Sequence, residues 1–363
     1  MRILVVNTGS SSVKLRLLDS TDTVLASHDL PVIGGRVPHD EIVTEIRGMP
    51  AIDAVGHRVV HGGPDFSGPR VLDERVLRRL HEFVDLAPLH QPKALAGIDA
   101  ASVALPDVPA VACFDTAFHA DLPPESTTYA IPERWRREYG LRRYGFQGLS
   151  FAYATRRAEE ILGRDPGRLV IAHLGSGASL AAVHGGRSLD TTMGFTPDEG
   201  LVMATRSGSV DPGMLMWLLR RPGIDLESLS AGLEQEGGLV ALAGTADMAE
   251  IVRRFHAGQP HPRLALDVYL HRLRAGICAM AAALCGIDTL VFTGGVGENA
   301  PMVRSGAAAG LVFLGLAIDG TTNADTTGDA DISSEESDVS TLVVSAREDI
   351  QIATEVRRVL DHR

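Results

Sequence analysis

The sequence has few cysteines, no long apolar run and no excess of positive charge. Its three cysteines, Cys113, Cys278 and Cys285, are odd in number and lack metal-ligand spacing. That excludes a disulfide framework and a thiolate metal centre, and it suits a reducing compartment, so a cytoplasmic location is expected. Apolar runs such as Leu239 to Ala243 or Ile277 to Leu284 fall short of the roughly 18 to 20 residues that span a bilayer. Met1 leads directly into a strand pattern. Neither a signal peptide nor a membrane partner is expected. A formal net charge of -12 argues against a general nucleic-acid surface, but local anion sites can still be built from backbone amides and a few arginines. With 363 residues, 45% of them hydrophobic and 22% charged, the chain can bury a large core and is expected to form about two domains.

The stretch from Arg2 to Asp19 reads as a buried strand, a turn of small residues at Asn7-Thr8-Gly9-Ser10-Ser11-Ser12, and an alternating return strand. Strand-turn-strand order predicts a hairpin and excludes a P-loop, which needs a helix after the turn. Leu169 to Gly186 repeats the pattern about half the chain later, as two related domains facing each other would. Helices are predicted over Asp73 to Phe83, Lys93 to Ala104, Pro262 to Cys285 and Asp349 to Leu360. Strands are predicted at Val55 to His61, Ala110 to Phe114, Thr289 to Thr293 and Thr341 to Ser345. Gly294 to Asn299 reads as a glycine turn opening a helix, where exposed amides can meet phosphate. Thr321 to Asp338, rich in Thr, Asp, Ser and Gly, is expected to be a solvated acidic loop without function.

Five places combine charge with small residues. The turn from Asn7 to Lys14 offers hydroxyls, amides and a lysine for terminal phosphates, or equally a plain hairpin with surface serines. In His57-Arg58-Val59-Val60-His61-Gly62-Gly63, the period of two puts Arg58 and Val60 on one face. A guanidinium beside a small apolar group suits a short carboxylic acid, and an arginine salt-bridged at a domain interface would look the same. Asp115 ends the apolar strand Ala110 to Phe114, where α/β sheets place reactive groups, or where an aspartate caps a helix. His119 reads as structural, without metal-ligand spacing around it. Arg206 lies in the small-residue turn Thr205 to Gly213, able to meet a transferring phosphoryl group or to pair with Asp211. Glu348 and Asp349 are adjacent carboxylates at a helix start, one able to reach Mg2+ or both merely complementing the helix dipole.

As a set these stretches resemble the acetate kinase family, within the larger group of acetate and sugar kinases, Hsp70 and actin. Further matches are Pro88-Leu89-His90, Arg142 to Phe146, His173 to Gly177, Asp190 to Gly200 and Glu348 to Ala353, in family order along nearly the whole chain. The resemblance implies an α/β fold of two duplicated actin-like, ribonuclease-H-like domains, with an active-site cleft between residues 1–119 plus 348–363 and residues 120–347. It implies reversible transfer of phosphate from ATP to a short-chain carboxylate, acetate first and propionate or another short acid as the alternative. A homodimer through the second domain is implied too. In the roles so implied, Asn7 and Glu348 place Mg2+, for which Mn2+ can substitute, and Lys14 contacts nucleotide phosphate. Arg58 holds the carboxylate; Val60, Leu89 and Pro197 line the acyl pocket; Asp115 is the acid/base or positioning carboxylate. Arg206, His90 and the residue at Gln147 serve the phosphoryl group. His173, Leu174, Gly175, Ser176 and Gly177, with Asp247, Met248, Ala249, Gly295, Val296, Gly297, Glu298 and Asn299, bind ATP.

The chain departs from that pattern where the family reads Gly-Phe-His-Gly-Thr-Ser-His, because here the segment is Gly145-Phe146-Gln147-Gly148-Leu149-Ser150-Phe151. An amide at Gln147 can donate a hydrogen bond but carries neither proton nor positive charge. Ser176, Ser209 and Ala249 replace a family asparagine, aspartate and arginine. Phosphotransfer at a reduced or redirected rate is the expectation, and a nucleotide-binding sensor that has lost catalysis is the alternative from another class.

Overall fold

The computed structural model describes residues 1–9 and 12–361, so Ser10 and Ser11 of the first turn lie outside the described residues. Two compact units emerge. The first holds Met1–Asp121, Phe146–Tyr153 and the segment from Arg347 onward, and the second holds Leu122–Gly145 and Ala154–Ala346. Phe146–Tyr153, read from sequence as part of the second domain, thus groups with the first. Gly148 N bonds to Asp115 O, and Leu149 packs with the first unit's core.

The first unit contains β1 (Ile3–Thr8), β2 (Ser12–Leu18), β3 (Val24–Pro31), β4 (Ala54–Val59), β5 (Arg70–Val71) and β6 (Ala110–Phe114), in the order β3-β2-β1-β4-β6-β5. β1 pairs antiparallel with β2 and parallel with β4, and β4 pairs parallel with β6. The second unit contains β7 (Leu169–Leu174), β8 (Ala178–His184), β9 (Arg187–Thr191), β10 (Thr289–Thr293), β11 (Ala330–Asp331) and β12 (Ser340–Val343). Their order, β11-β12-β10-β7-β8-β9, repeats the first sheet strand for strand, with the same parallel and antiparallel senses. This is a duplicated α/β fold.

Buried strands explain the apolar runs. Along β1, Leu4 and Val6 face one way, against Ile42, Val43 and Ile46 of the helix His39–Gly48 and Ala100 and Ala101 of the helix Gln91–Ala104. Ile3 and Val5 face the other way, against Ile352, Ala353 and Val356 of the final helix, Glu348–Asp361. A strand covered on both faces needs apolar residues at every position, as Ile3-Leu4-Val5-Val6 supplies. The final helix approaches β4 at Gly56, where a Cβ would lie 2.5 Å from Ile352 Cγ2 and 2.8 Å from Val356 Cγ2. Glycine is what lets the helix lie this low, and it sets the height of Glu348 at the helix start.

Several expectations change. β4 stops at Val59, so the alternation predicted to align Val60 with Arg58 does not extend to Val60, which is buried in the following bend. Gly294–Asn299 is itself a short helix rather than a turn before one. The stretch Thr321 to Asp338 is not a simple solvated loop. It runs through the helix Gly320–Asp325 and β11, and it buries Asn323 and Ile332. The buried Arg304 guanidinium donates to Asn323 Oδ1 and O, which ties this polar segment down despite its composition.

Candidate active site

Parallel pairing brings the ends of β1, β4 and β6 side by side, and there they carry Asn7, Arg58 and, one residue past β6, Asp115. The carboxyl ends of adjacent parallel strands are where α/β sheets collect ligand-binding groups. The final helix adds Glu348. Arg58 Nη2 lies 2.6 Å from Asp115 Oδ2, and Arg58 Nε donates to both Asp115 oxygens at 3.1 and 3.2 Å. Arg58 Nη1 donates to Asn7 Oδ1 at 3.3 Å, while Asn7 Nδ2 donates to Glu348 Oε2 at 2.8 Å. Glu348 Oε2 is also 3.8 Å from Arg58 Nε.

Asp115 therefore is not a helix cap. It grips the side edge of the guanidinium, and of the five N–H groups of Arg58 three are engaged. Nη1 and Nη2 each keep one further N–H, and a guanidinium donates through such groups to carboxylates. Burial pushes the Asp115 carboxyl up to about 6 against the pull of the Arg58 guanidinium, with Glu348 adding to the rise. Burial also works against charge on Arg58, but Asp115 and Glu348 more than offset it and hold the guanidinium above its usual value. Arg58 remains charged whichever form Asp115 takes.

Lys14 sits opposite Asn7 in the β1–β2 register and is exposed, so the hairpin sets the two on one face. Leu89 is 45% exposed, and His90 is partly buried beside it. Gln147 is nearly buried and has a φ of +59°. Phe151, at the second missing histidine, is fully buried with its ring edge-on to His119 at 5.5 Å.

In the second unit, β7 and β10 run parallel with His173 opposite Thr293, so the segments after them are neighbours. The turn Gly175–Gly177, closed by Gly175 N to Gly177 O at 3.0 Å, adjoins Gly294 and Gly295. A Cβ on Gly294 would come within 2.8 Å of Leu174 O and 3.1 Å of His173 Nε2. Two of the expected ATP segments are thus brought together by sheet order. Ser176 accepts through its carbonyl from Ala204 N at 3.1 Å. Of the second segment, Val296, Gly297, Glu298 and Asn299 form the short helix after β10. Asn299 Nδ2 donates back to Gly295 O, and Glu298 Oε1 accepts from Ala346 N. Asp247 lies at the start of the helix Met248–His256, where its carboxylate caps Ala249 N at 2.9 Å and Met248 is buried.

Arg206 pairs with the loop before it rather than with Asp211. Its Nη1 donates to Pro197 O at 2.7 Å and lies 4.0 Å from Asp198, while Asp211 caps Gly213 N. Burial lowers the Arg206 pKa from its usual value. The loop carrying Pro197 is itself clamped: Glu199 accepts from Tyr129 Oη at 2.6 Å and from Arg143 Nη2 at 2.8 Å, and Arg143 Nη1 also donates to Thr192 and Met193 carbonyls. No motif in the sequence marks Tyr129, Glu199 or Arg304 for these contacts. Arg304 donates to the Gly297 and Glu298 carbonyls, holding the glycine helix from below. Nothing local in Pro301-Met302-Val303-Arg304 distinguishes this arginine from a surface one; only burial does.

Two sheets of one topology, a buried arginine–carboxylate cluster at parallel strand ends in one and paired small-residue turns in the other, define a duplicated α/β fold with the parts of a phosphotransferase. The acetokinase family pattern matches residues 36–354. Over 396 residues the chain is 42% identical to the acetate kinase of Microcystis aeruginosa, covering 98% of each. The crystal structure of Porphyromonas gingivalis acetate kinase superposes with a TM-score of 0.90 at 36% identity, covering 99% of both chains. A propionate kinase from Francisella tularensis superposes equally, with a TM-score of 0.90 at 33% identity and 98% coverage of both. The chain belongs to the acetokinase family.

Proposed function

We propose that this chain transfers the γ-phosphoryl group of ATP to acetate, giving acetyl phosphate and ADP, and runs the reverse reaction as well. The observation that carries the proposal is Arg58, held by Asp115 at the ends of parallel strands with N–H groups to spare, in a chain of the acetokinase family. One acetate oxygen attacks the γ-phosphorus, the bond from that phosphorus to the bridging oxygen breaks, and ADP leaves with the electron pair. Acetate is already ionised at neutral pH, so no general base is required. Asp115 accordingly acts by orienting Arg58, with Val60, Leu89 and Pro197 as the acyl contacts. The developing charge on the phosphoryl oxygens is met by Arg206, with His90 and Gln147 as lesser donors. The turn His173–Gly177, the segment Gly295–Asn299 and Lys14 take the nucleotide phosphates, with Asp247, Met248 and Ala249 toward the adenosine.

Asn7 and Glu348 carry an amide and a carboxylate; Asn7 Nδ2 faces Glu348 and its Oδ1 faces Arg58, so the amide would turn over to give an ion the all-oxygen donors that magnesium takes. No group of three or more His, Cys, Asp or Glu that could hold a metal by itself occurs among the described residues. That fits an ion completed by substrate phosphates and water rather than caged by protein. Magnesium, or manganese in its place, would neutralise phosphate charge there.

The lost histidine does not favour the sensor reading, because a transfer that moves no proton loses only charge stabilisation when His becomes Gln. Propionate is the second acceptor, on the strength of the propionate kinase that superposes as well as the acetate kinase. A second copy of the chain would cover the apolar surface of Met214, Met216, Trp217 and Leu226, 41%, 56%, 54% and 73% exposed on the second unit. Three unpaired cysteines suit the cytoplasm. No helix among the described residues is long and apolar enough to cross a membrane.

Trapping acyl phosphate with hydroxylamine, using Mg-ATP and formate, acetate, propionate or butyrate in turn, tests the proposal. Acetate should give the highest kcat/KM. Binding of ATP without hydroxamate from any of the four acids would replace the kinase reading with the sensor.

A further inference from the structure

Gln147 holds a backbone φ of +59°, a left-handed conformation that residues other than glycine seldom adopt. Such a conformation persists where neighbouring structure over-determines it. Two links do so here, one on either side. Phe146 O accepts from His119 Nε2 at 3.0 Å, and Gly148 N donates to Asp115 O at 2.8 Å. Both partners come from the single stretch Asp115–His119, whose last residues form one tight turn closed by His119 N to Thr116 O. A Cβ on Gly148 would lie 2.2 Å from Asp115 O, so the contact admits glycine alone. The His119 ring is wholly buried, with Phe118 and Phe151 edge-on to it, and Phe146 meets the edge of His61 at 5.4 Å.

We infer that His119 is a positioning residue for the reaction: by holding the Phe146 carbonyl it fixes the left-handed Gln147 relative to the Asp115 that orients Arg58. The inference rests on the phosphotransfer reading above. Because a carbonyl only accepts, His119 Nε2 must carry its proton, which specifies one tautomer of the ring. The apolar Phe151, at the second departure from the family pattern, packs edge-on against the same His119 ring.

The test compares His119→Leu, which removes the donor, with His119→Gln, whose amide reaches the same place. His119→Leu should lower kcat about tenfold with both KM values changed less than about twofold, and His119→Gln should keep most of the rate. On a Gln147→Ala background, His119→Leu should change kcat by less than about twofold, because the group it positions is gone. Equal losses on both backgrounds, or a rise in KM matching the fall in kcat, would overturn the inference. Imidazole nitrogen NMR of the unaltered protein decides the case even if His119→Leu does not fold: a slowly exchanging Nε2–H is expected, and an Nδ1–H tautomer overturns the inference. A parent that forms no acyl phosphate would defeat the phosphotransfer reading itself, whereas an active parent with independent losses defeats only the role of His119.

Discussion

At the scale of single residues, Arg58 serves two partners, and substitutions can separate them. Arg58→Ala should raise the KM for acetate by an amount equivalent to roughly 2 to 5 kcal/mol while ATP binding changes little. It should also destabilise the protein by about 3 to 5 kcal/mol, because Asp115, 1% exposed, is left as a buried carboxyl without its ion pair. Arg58→Ala with Asp115→Asn should recover most of the stability and none of the acetate affinity, measured by urea unfolding and steady-state kinetics. If the double variant also recovers KM, Arg58 is only a structural ion pair. Gln147 gives the second residue-scale prediction. Histidine tolerates the left-handed backbone better than most side chains, so Gln147→His fits the existing turn. It should raise kcat about tenfold, roughly 1.4 kcal/mol of barrier, with little change in either KM. No gain from Gln147→His, alone or with Phe151→His, would mean that the surroundings have adapted to the amide.

At the scale of elements, the final helix and β4 are joined through Gly56. Gly56→Ala inserts a methyl 2.5 Å from Ile352 Cγ2 and 2.8 Å from Val356 Cγ2, so these side chains must shift, and with them the helix that carries Glu348 is expected to move. A stability loss of about 1 to 3 kcal/mol is expected, together with a lower kcat. Adding Ile352→Ala makes room and should return part of both. An unchanged melting temperature and rate in Gly56→Ala would show that the helix height does not matter to the site. Much of this level was legible in the sequence. The two hairpins announced themselves through the near-continuous apolar runs of the buried strands β1 and β7, each followed by a small-residue turn and a return strand that alternates in β2, and β1, β2, β7 and β8 lie where the pattern predicted. Strand ends were not legible: β4 stops at Val59 although the apolar run continues to Val60, because pairing with β6 ends there. The segment Thr321 to Asp338 misled for the opposite reason. Its composition is that of a loop, and its order comes from Arg304, a residue outside the segment.

At the scale of the whole molecule, the strongest expectation concerns assembly. Trp217 stacks under Arg221 yet is 54% exposed, and Met216 beside it and Leu226 at the start of the next helix are exposed as well. Aromatic and methionine side chains left in water along one short helix are of the kinds enriched in interface cores. Sedimentation equilibrium should find a dimer, and Trp217→Glu with Leu226→Glu should weaken it by at least about thirtyfold, the loss of a hot spot worth some 2 kcal/mol. A monomeric parent, or a double variant that dimerises as before, would rule this surface out.

The sequence by itself determined the duplication, the family and the identity of the polar residues at the strand ends, since these depend on local periodicity and on side-chain types. Tertiary structure alone decided what each of those residues does with its charge. Arg58, Asp115, Asn7 and Glu348 are separated by up to 341 positions, and their shared hydrogen bonds exist because three parallel strands end side by side under one helix. Burial then raised the pKa of the Asp115 carboxyl and left part of the Arg58 side chain within reach of solvent, a division that no spacing along the chain encodes because it depends on what packs around each group.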